Sequence, residues 1–174
     1  MGGAPGDLSL TRHRDLAGRS WHPWVRRGLL GLVVLLPLLA LAGVFGQQPS
    51  SSTAGVGAAT LSVYAPERVR GGDMFEMRVR VVAHRAIAKP TLVLDSGWFE
   101  EMTLNGVAPQ PSTETGRDAR VSYEYDRMEP GQTMTIWIYF QVNPINVGHR
   151  PANVSLADGD RRLATVERTI TAFP

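Results

Sequence analysis

The residues that could take part in catalysis or metal binding are widely separated in this sequence. Two histidines, His84 and His149, follow residue 46, and neither belongs to a cluster with metal-ligand spacing. A zinc site usually takes three or four ligands, often with two close together in sequence. No Gly-x-Ser-x-Gly nucleophile elbow is present. The chain has no cysteine, which excludes a disulfide framework, a thiolate metal site and a cysteine nucleophile.

Three further motifs have simpler structural explanations. Glu100 and Glu101 are adjacent, so in a strand they point to opposite faces and cannot act as a pair. The Asp-Gly-Asp motif at residues 158–160 has oxygen ligands of the kind calcium prefers, but it is too short alone and suits a hairpin turn. The glycine pair at residues 71–72 precedes a strand pattern, not a phosphate-binding helix. We therefore predict no enzyme, no cofactor and no metal; a hydrolase would need a histidine beside a carboxylate in a cleft.

The basic charge of the sequence is confined to its N-terminal segment. Residues 1–27 carry five arginines and two aspartates, a net charge of +3, whereas residues 47–174 carry 13 basic and 14 acidic side chains, a net charge of −1. A domain that binds nucleic acid needs a basic patch or stripe. We therefore predict no nucleic-acid partner.

The segment RRGLLGLVVLLPLLALAGVFG predicts a membrane anchor. Residues 28–46 are 19 residues without a charged side chain. As a helix they would span roughly 28 Å, close to the thickness of a bilayer's hydrocarbon core. Pro37 lies in the middle, where membrane helices tolerate proline. The nearby arginines all precede the segment, so the positive-inside rule predicts a cytoplasmic tail at residues 1–27 and a C-terminal part outside the cell membrane.

A cleaved signal peptide is the alternative interpretation of the same segment. Ala40-Leu41-Ala42 has the small-x-small form of a cleavage site, which would make Gly43 the new N-terminus. The apolar run continues beyond that site and the preceding polar segment is long, so we favour the uncleaved anchor. Cleavage after Ala42 would instead release a secreted ligand-binding domain.

The remainder of the chain predicts a flexible linker followed by one all-β domain. Residues 47–59 are rich in serine, glycine and alanine and lack periodicity, which is typical of a spacer. Residues 60–174 hold about seven or eight short alternating segments separated by turn signals, without a convincing amphipathic helix, which predicts an immunoglobulin-like β-sandwich. Asn105-Gly106 is predicted to be a hairpin turn after a strand at 98–104, and 107–117 a loop. The predicted strands lie at residues 60–66, 71–84, 91–95, 98–104, 119–125 and 133–142, and twice within 153–173, joined at Asp158-Gly159.

The segment 133–142 is the most regular of these strands, and it is apolar on both faces. Its even-numbered residues, from Met134 to Val142, are all apolar and are predicted to face the opposite sheet. Its other face carries Trp137 and Tyr139. Three alternatives remain for these two rings. They are covered by the 105–117 loop or by side chains of neighbouring strands, or they form an exposed patch that contacts a partner or lipid. In the third alternative the two faces are reversed and the rings point into the core.

Two segments resemble bacterial extracytoplasmic immunoglobulin-like modules. VYAPERVRGGDMFEMRVRV at 63–81 has a proline near the first strand and a glycine before a long strand. RMEPGQTMTIWIYFQV at 127–142 has a Pro-Gly turn leading into another long strand. The resemblance extends over residues 60–172 and is carried by turn residues and alternation. It implies a β-sandwich with an adhesive, spacing or accessory role.

From these observations we predict a non-enzymatic module that interacts with another membrane or cell-envelope component. The anchor would contact the lipid bilayer through residues 28–46. The predicted partner contacts are four aromatic residues: Trp98, Phe99, Trp137 and Tyr139. For Trp98 and Phe99 the alternative is a place in the core or at the end of the sandwich.

Overall fold

The computed structural model describes residues 21–42, 47–55 and 57–173, which form one α-helix and thirteen β-strands. The helix belongs to one compact unit and the strands belong to a second. The predicted basic tail lies outside the described residues, except for its last seven residues. In the described residues the strands are more numerous than the seven or eight predicted, because several segments expected to be turns or linker pair with a neighbour.

Helix α1 (His22–Leu41) is apolar and solvent-exposed along its length. It begins six residues before the predicted start because Pro23 suits the first turn of a helix, so Arg26 and Arg27 lie within it. Pro37 is accommodated inside the helix. Residues 23–41 are long and apolar enough to cross a membrane, a property that signal sequences near an N-terminus share. The last four residues of the predicted span, 43–46, lie outside the described residues.

Strands are numbered in chain order, and two five-stranded sheets form the sandwich. The first sheet is antiparallel in the order β1-β2-β4-β9-β6. Its strands are β1 (Pro49–Ala54), β2 (Ala59–Pro66), β4 (Met74–Ala83), β9 (Thr133–Val142) and β6 (Met102–Ala108). The second sheet has the order β12-β11-β5-β8-β7. Its strands are β12 (Arg161–Val166), β11 (Val154–Asp158), β5 (Pro90–Leu94), β8 (Arg120–Glu124) and β7 (Thr113–Arg117).

A small third sheet brings together three short segments. Strand β13 (Thr169–Phe173) pairs antiparallel with β10 (Gly148–Pro151) and parallel with β3 (Arg68–Arg70). It follows directly after β12, so the segment 153–173 contains three strands and not the two predicted. The turn between β11 and β12 lies at residues 159–160, next to the predicted position.

The hydrophobic core is built from the alternating inward residues of the long strands. In β9, the predicted inward face is confirmed: Ile136, Ile138, Phe140 and Val142 are buried and Met134 is half-buried. Period-two alternation fixes which side chains of a strand share a face. The core therefore has the composition that the sequence pattern of 133–142 indicates.

The predicted linker is partly wrong, because residues 49–54 are strand β1. The register joins Ser50 to Ala65 and Ser52 to Val63 on β2. The segment has no apolar alternation from which a strand could be predicted, and small serine side chains let it lie against the sandwich edge. The β-domain therefore begins before residue 60.

The prediction of a strand at 98–104 and a turn at Asn105-Gly106 is also wrong. Residues 96–98 form a 3-10 turn, and β6 begins at Met102. Asn105-Gly106 lies inside β6, at an irregularity in its pairing with β9. A β-bulge accommodates such residues within a strand. The predicted 107–117 loop is reduced to residues 109–112, since β7 occupies residues 113–117.

Candidate interaction surface

The outer side of the first sheet carries a group of aromatic side chains, here called the aromatic face: Tyr64, Trp137 and Tyr139. Tyr64 on β2 pairs with Arg78 on β4, and Arg78 pairs with Trp137 on β9. Tyr139 lies on the same face, two residues along β9 from Trp137. Because residues at opposite positions on neighbouring strands lie side by side, the aromatic face is continuous across three strands.

Two rings of the aromatic face are substantially exposed. Tyr64 and Tyr139 each have 42% of their surface exposed, and Trp137 is half-buried. On the β6 side, the register partner of Trp137 is Ala108 and that of Tyr139 is Gly106. A Cβ added at Gly106 would meet nothing within 4 Å. The residues of β6 opposite both rings are therefore small, and most of the 105–117 segment that was expected to be a covering loop belongs to β6 and β7.

One arginine links the aromatic rings with the polar part of the same face. The guanidinium carbon of Arg78 lies 5.8 Å from the centroid of the Tyr64 ring, a cation–π geometry. Its Nη2–H donates to Glu76 Oε1 at 3.1 Å. Glu76 is the register partner of Tyr139. The face therefore combines two exposed rings with a surface ion pair.

Trp98 is not a surface residue, so its prediction as a partner contact is wrong. Its side chain is fully buried, and its ring stacks on Phe140 with 5.6 Å between centroids. Phe99 packs edge-on to Phe140 at 6.1 Å and is only partly buried. The 3-10 turn directs Trp98 into the core, where an indole buries a large apolar area. The alternative interpretation, a core position for Trp98, describes the structure.

Phe99 borders an open cleft of about 440 Å³ between the 3-10 turn and the β7–β8 hairpin. Arg117 and Arg120 lie at its other side. Arg120 Nε is 3.0 Å from Asp95 Oδ1, whereas Arg117 is mostly exposed beside Asp118. A ligand in this cleft could contact Phe99.

The histidines of the β-domain each contact a threonine. His84 Nε2 lies 2.8 Å from Thr60 Oγ1, and His149 Nδ1 lies 2.8 Å from Thr171 Oγ1. Within residues 21–42, 47–55 and 57–173, no group of three or more His, Cys, Asp or Glu residues is arranged to hold a metal ion. These contacts contain no carboxylate beside an imidazole, the arrangement that a hydrolase would require.

Arg168 is a structural residue that has no distinguishing signal in the sequence. It follows β12, and its side chain is only 2% exposed. Its Nη1–H donates to Ser52 Oγ at 2.7 Å, and its Nη2–H donates to Ser50 Oγ at 2.9 Å and to the Ala65 carbonyl at 2.7 Å. Burial lowers the pKa of Arg168, while the charge of Glu67 opposes that shift. Arg168 therefore attaches β1 to the rest of the sandwich.

Comparisons with known proteins assign neither a family nor a function to this chain. No family model matches the chain, and no curated protein matches it. Solved structures similar to this chain include a FixG-related protein from Vibrio parahaemolyticus. It has 16% identity over 68% of this chain and 100% of that one, with a TM-score of 0.39. A non-cellulosomal cohesin from Archaeoglobus fulgidus has 11% identity over 72% and 92%, with a TM-score of 0.41.

A third similar structure is that of AvmM, which catalyses macrocyclization in alchivemycin A biosynthesis. It has 8% identity over 74% of this chain and 90% of that one, with a TM-score of 0.42. At these identities and TM-scores, none of the three supports an argument about activity. The strands themselves define the C-terminal part of this chain as an all-β sandwich domain.

Proposed function

We propose that this protein is a single-pass membrane protein that displays a non-enzymatic β-sandwich outside the cell membrane, where it contacts another membrane or cell-envelope protein. Its N-terminal tail is cytoplasmic. The exposed rings of the aromatic face, Tyr64 on β2 and Tyr139 on β9, together with the half-buried Trp137 two residues from Tyr139, are the observation that carries the proposal of a partner. Large exposed aromatic side chains are enriched at protein interfaces and supply much of their binding energy.

The anchor is supported by the surface of helix α1. Its leucines and valines are exposed, apart from the half-buried Leu39, which is costly in water and favourable in lipid. Arg26 and Arg27 lie near its first turn, and its last turn has no basic residue. The positive-inside rule then favours a cytoplasmic N-terminus.

Replacing Trp137 and Tyr139 together by serine tests the proposed partner contact. The double variant should remain folded, with a loss of about 1–2 kcal/mol in the free energy of unfolding, because the rings are not in the core. The affinity for the partner should fall by at least roughly tenfold, as expected for aromatic residues at the centre of an interface. Co-purification from cross-linked native membranes, with unfolding followed by circular dichroism, measures both quantities.

The matched control is a double variant in which Thr133 and Gln141 become serine. Both residues lie on β9 and point to the same side as the rings, and both are exposed. This control should retain co-purification. Equal retention by the ring variant would remove the aromatic face as the contact, and an unfolded ring variant would assign the rings to the core.

A secreted ligand-binding domain is the second candidate function. The open cleft beside Phe99 is the observation that favours it, since such a cleft could take a small ligand. Cleavage after Ala42 would release the domain. The secreted domain requires a mature protein without its N-terminal helix. Whether the chain is cleaved after Ala42 therefore decides between the secreted domain and the membrane-anchored module.

A further inference from the structure

Four large apolar side chains are exposed at one end of the β-sandwich, here called the apolar end: Met74, Ile145, Val147 and Phe173. Their exposed fractions are 69%, 81%, 60% and 47%. Single exposed apolar residues are ordinary on protein surfaces, but a group of them marks a contact surface. The loop between β9 and β10 contributes Ile145 and Val147, and the start of β4 and the end of β13 contribute the other two.

The segments that carry these residues meet at the glycine turn before β4. The Gly71 N–H donates to the Phe173 carbonyl at 2.8 Å, and the Gly72 N–H donates to the Val142 carbonyl at 2.9 Å. A Cβ at Gly71 would lie 2.6 Å from the carbonyl oxygen of Pro144, so only glycine permits this approach. The turn therefore holds the three segments together as one surface.

Gln47, the first described residue after the helix, also lies at this end of the β-domain. The Gln47 Nε2–H donates to Asp73 Oδ2 at 3.1 Å, within the same glycine turn. Gln47 follows Ala42 by five residues, and five fully extended residues reach at most about 18 Å. With residues 23–41 in the bilayer, as proposed above, this tether keeps Gln47 within reach of the lipid headgroups.

The charges around the apolar end are mixed in sign. Arg68 and Arg70 on β3 lie near Glu67 and Asp73. A basic cluster that would select anionic lipid is therefore not formed by these residues. Apolar side chains, in contrast, insert into the headgroup and acyl boundary of any fluid bilayer.

We propose that the apolar end docks on the lipid surface, with Ile145 and Val147 inserted at the boundary between headgroups and acyl chains. This inference rests on the proposed membrane anchor and adds a second lipid contact to it. Docking restricts the tilt of the β-domain on the membrane. It thereby presents the aromatic face, which runs along the strands, sideways to a neighbouring membrane protein.

The absence of cysteine makes a direct test available with the full-length protein. In Ile145→Cys, an environment-sensitive fluorophore can be attached at one site, and the protein can be placed in phosphatidylcholine nanodiscs. Docking predicts blue-shifted emission that is quenched by nitroxide-labelled lipid. The matched control is Ala86→Cys, an exposed position just beyond the far end of β4, ten residues of strand or roughly 33 Å away. Its label should have aqueous emission and no quenching.

The outcomes separate this inference from the proposed anchor. Emission of the Ile145 label equal to that of the Ala86 label overturns the docking. A blue shift without lipid quenching also overturns it, because a protein surface or a second copy would then cover the end. A label at Val34→Cys, inside helix α1, reports the anchor separately: quenching there with none at Ile145 retains the anchor and rejects only the docking. Val147→Cys provides a second position if Ile145→Cys disturbs folding.

Discussion

Arg168 illustrates how one charged residue can determine the position of a whole strand. Its guanidinium is buried and satisfied by two serine hydroxyls and a main-chain carbonyl, Ser50, Ser52 and Ala65. The planar fork of an arginine suits several acceptors at once, which a lysine ammonium cannot reproduce. A buried charge is tolerated only when its hydrogen bonds are made, so the serines of β1 and Arg168 depend on each other.

Replacing Arg168 by methionine should lower the free energy of unfolding by about 2–4 kcal/mol, because the carbonyl of Ala65 and the serine hydroxyls lose a charged donor. The loss is measured by chemical denaturation, with the buried Trp98 as a fluorescent probe. The matched control is Arg162→Met, an exposed position on β12, which should change stability by no more than about 0.5 kcal/mol. A loss no greater than that of the control would show that Arg168 does not hold β1.

Two buried tyrosines should lower the free energy of unfolding at alkaline pH. Burial raises the pKa of Tyr123 from 10.0 to about 12, with a smaller contribution from the charge of Glu114, and burial also raises the pKa of Tyr125. Above pH 10 the unfolded chain loses these protons and the folded chain keeps them, so stability falls as pH rises. The slope is about 1.4 kcal/mol per pH unit for each tyrosine.

Tyr123→Phe should remove one share of this alkaline loss and change stability little at neutral pH. The Tyr123 hydroxyl has no hydrogen-bond partner among the described residues, so its removal leaves no partner unpaired. Denaturation at several alkaline pH values, with tyrosinate absorbance, measures the slope. An unchanged slope in the variant would contradict the raised pKa of Tyr123.

At the level of secondary-structure elements, β1 changes the description of the segment that joins the helix to the β-domain. Every residue of β1 pairs with β2, from Pro49 with Pro66 to Ala54 with Leu61, which makes β1 an edge strand and not a spacer. Only residues 42–48 then separate β1 from helix α1. A short connection limits how far the β-domain can move from its point of attachment, whereas a thirteen-residue coil would allow an r.m.s. reach of about 20 Å.

Hydrogen exchange should show that β1 is ordered and that Arg168 keeps it so. Peptides spanning 49–54 are expected to exchange far more slowly than an unpaired linker, since the alternate amides of β1 that point to β2 are protected by strand pairing. In Arg168→Met, exchange in 49–54 should accelerate while β4 stays protected, because the arginine side chain donates to β1 and β2, whereas β4 is also paired with β9. Exchange at the rate of an unstructured peptide in the wild-type protein would remove β1 from the sheet.

The elements that could be predicted are those with strong periodic patterns. The β9 segment is apolar at every second position, so its boundaries and its buried face follow from the sequence. β1 has no such pattern, and Asn105-Gly106 has a turn signal that the pairing of β6 with β9 overrides. Of the four predicted contacts, Tyr139 is exposed and Trp98 is in the core, although both are large aromatic residues in apolar surroundings.

For the whole molecule, the fate of the N-terminal helix decides where the β-domain works. We predict that the intact mass of the protein from native membranes corresponds to a start at Met1 or Gly2, found in detergent extracts only. The reason is that a helix exposed on all its apolar sides is stable in lipid and not in water. Intact-mass spectrometry of the membrane and soluble fractions measures this.

A substitution directly after the helix provides the control for that measurement. Replacing Ala42 by a bulky residue blocks a small-x-small cleavage site and has no effect on an anchor that is never cleaved. The mass and the fraction should therefore be the same in this variant and in the wild-type protein. A soluble wild-type protein starting at Gly43 would contradict the anchor and favour the secreted ligand-binding domain.

The all-β class, the apolar helix and the inward face of the longest strands could be predicted from the amino-acid sequence, because each follows from local periodicity or from a charge-free run of residues. The burial of Trp98, the place of β1 in the sandwich and the role of Arg168 in holding it there became visible in the folded chain. The tertiary structure also brought Met74, Ile145, Val147 and Phe173 to one end. These depend on which distant segments meet, and pairing between strands far apart in sequence is not encoded in the residues of either strand alone.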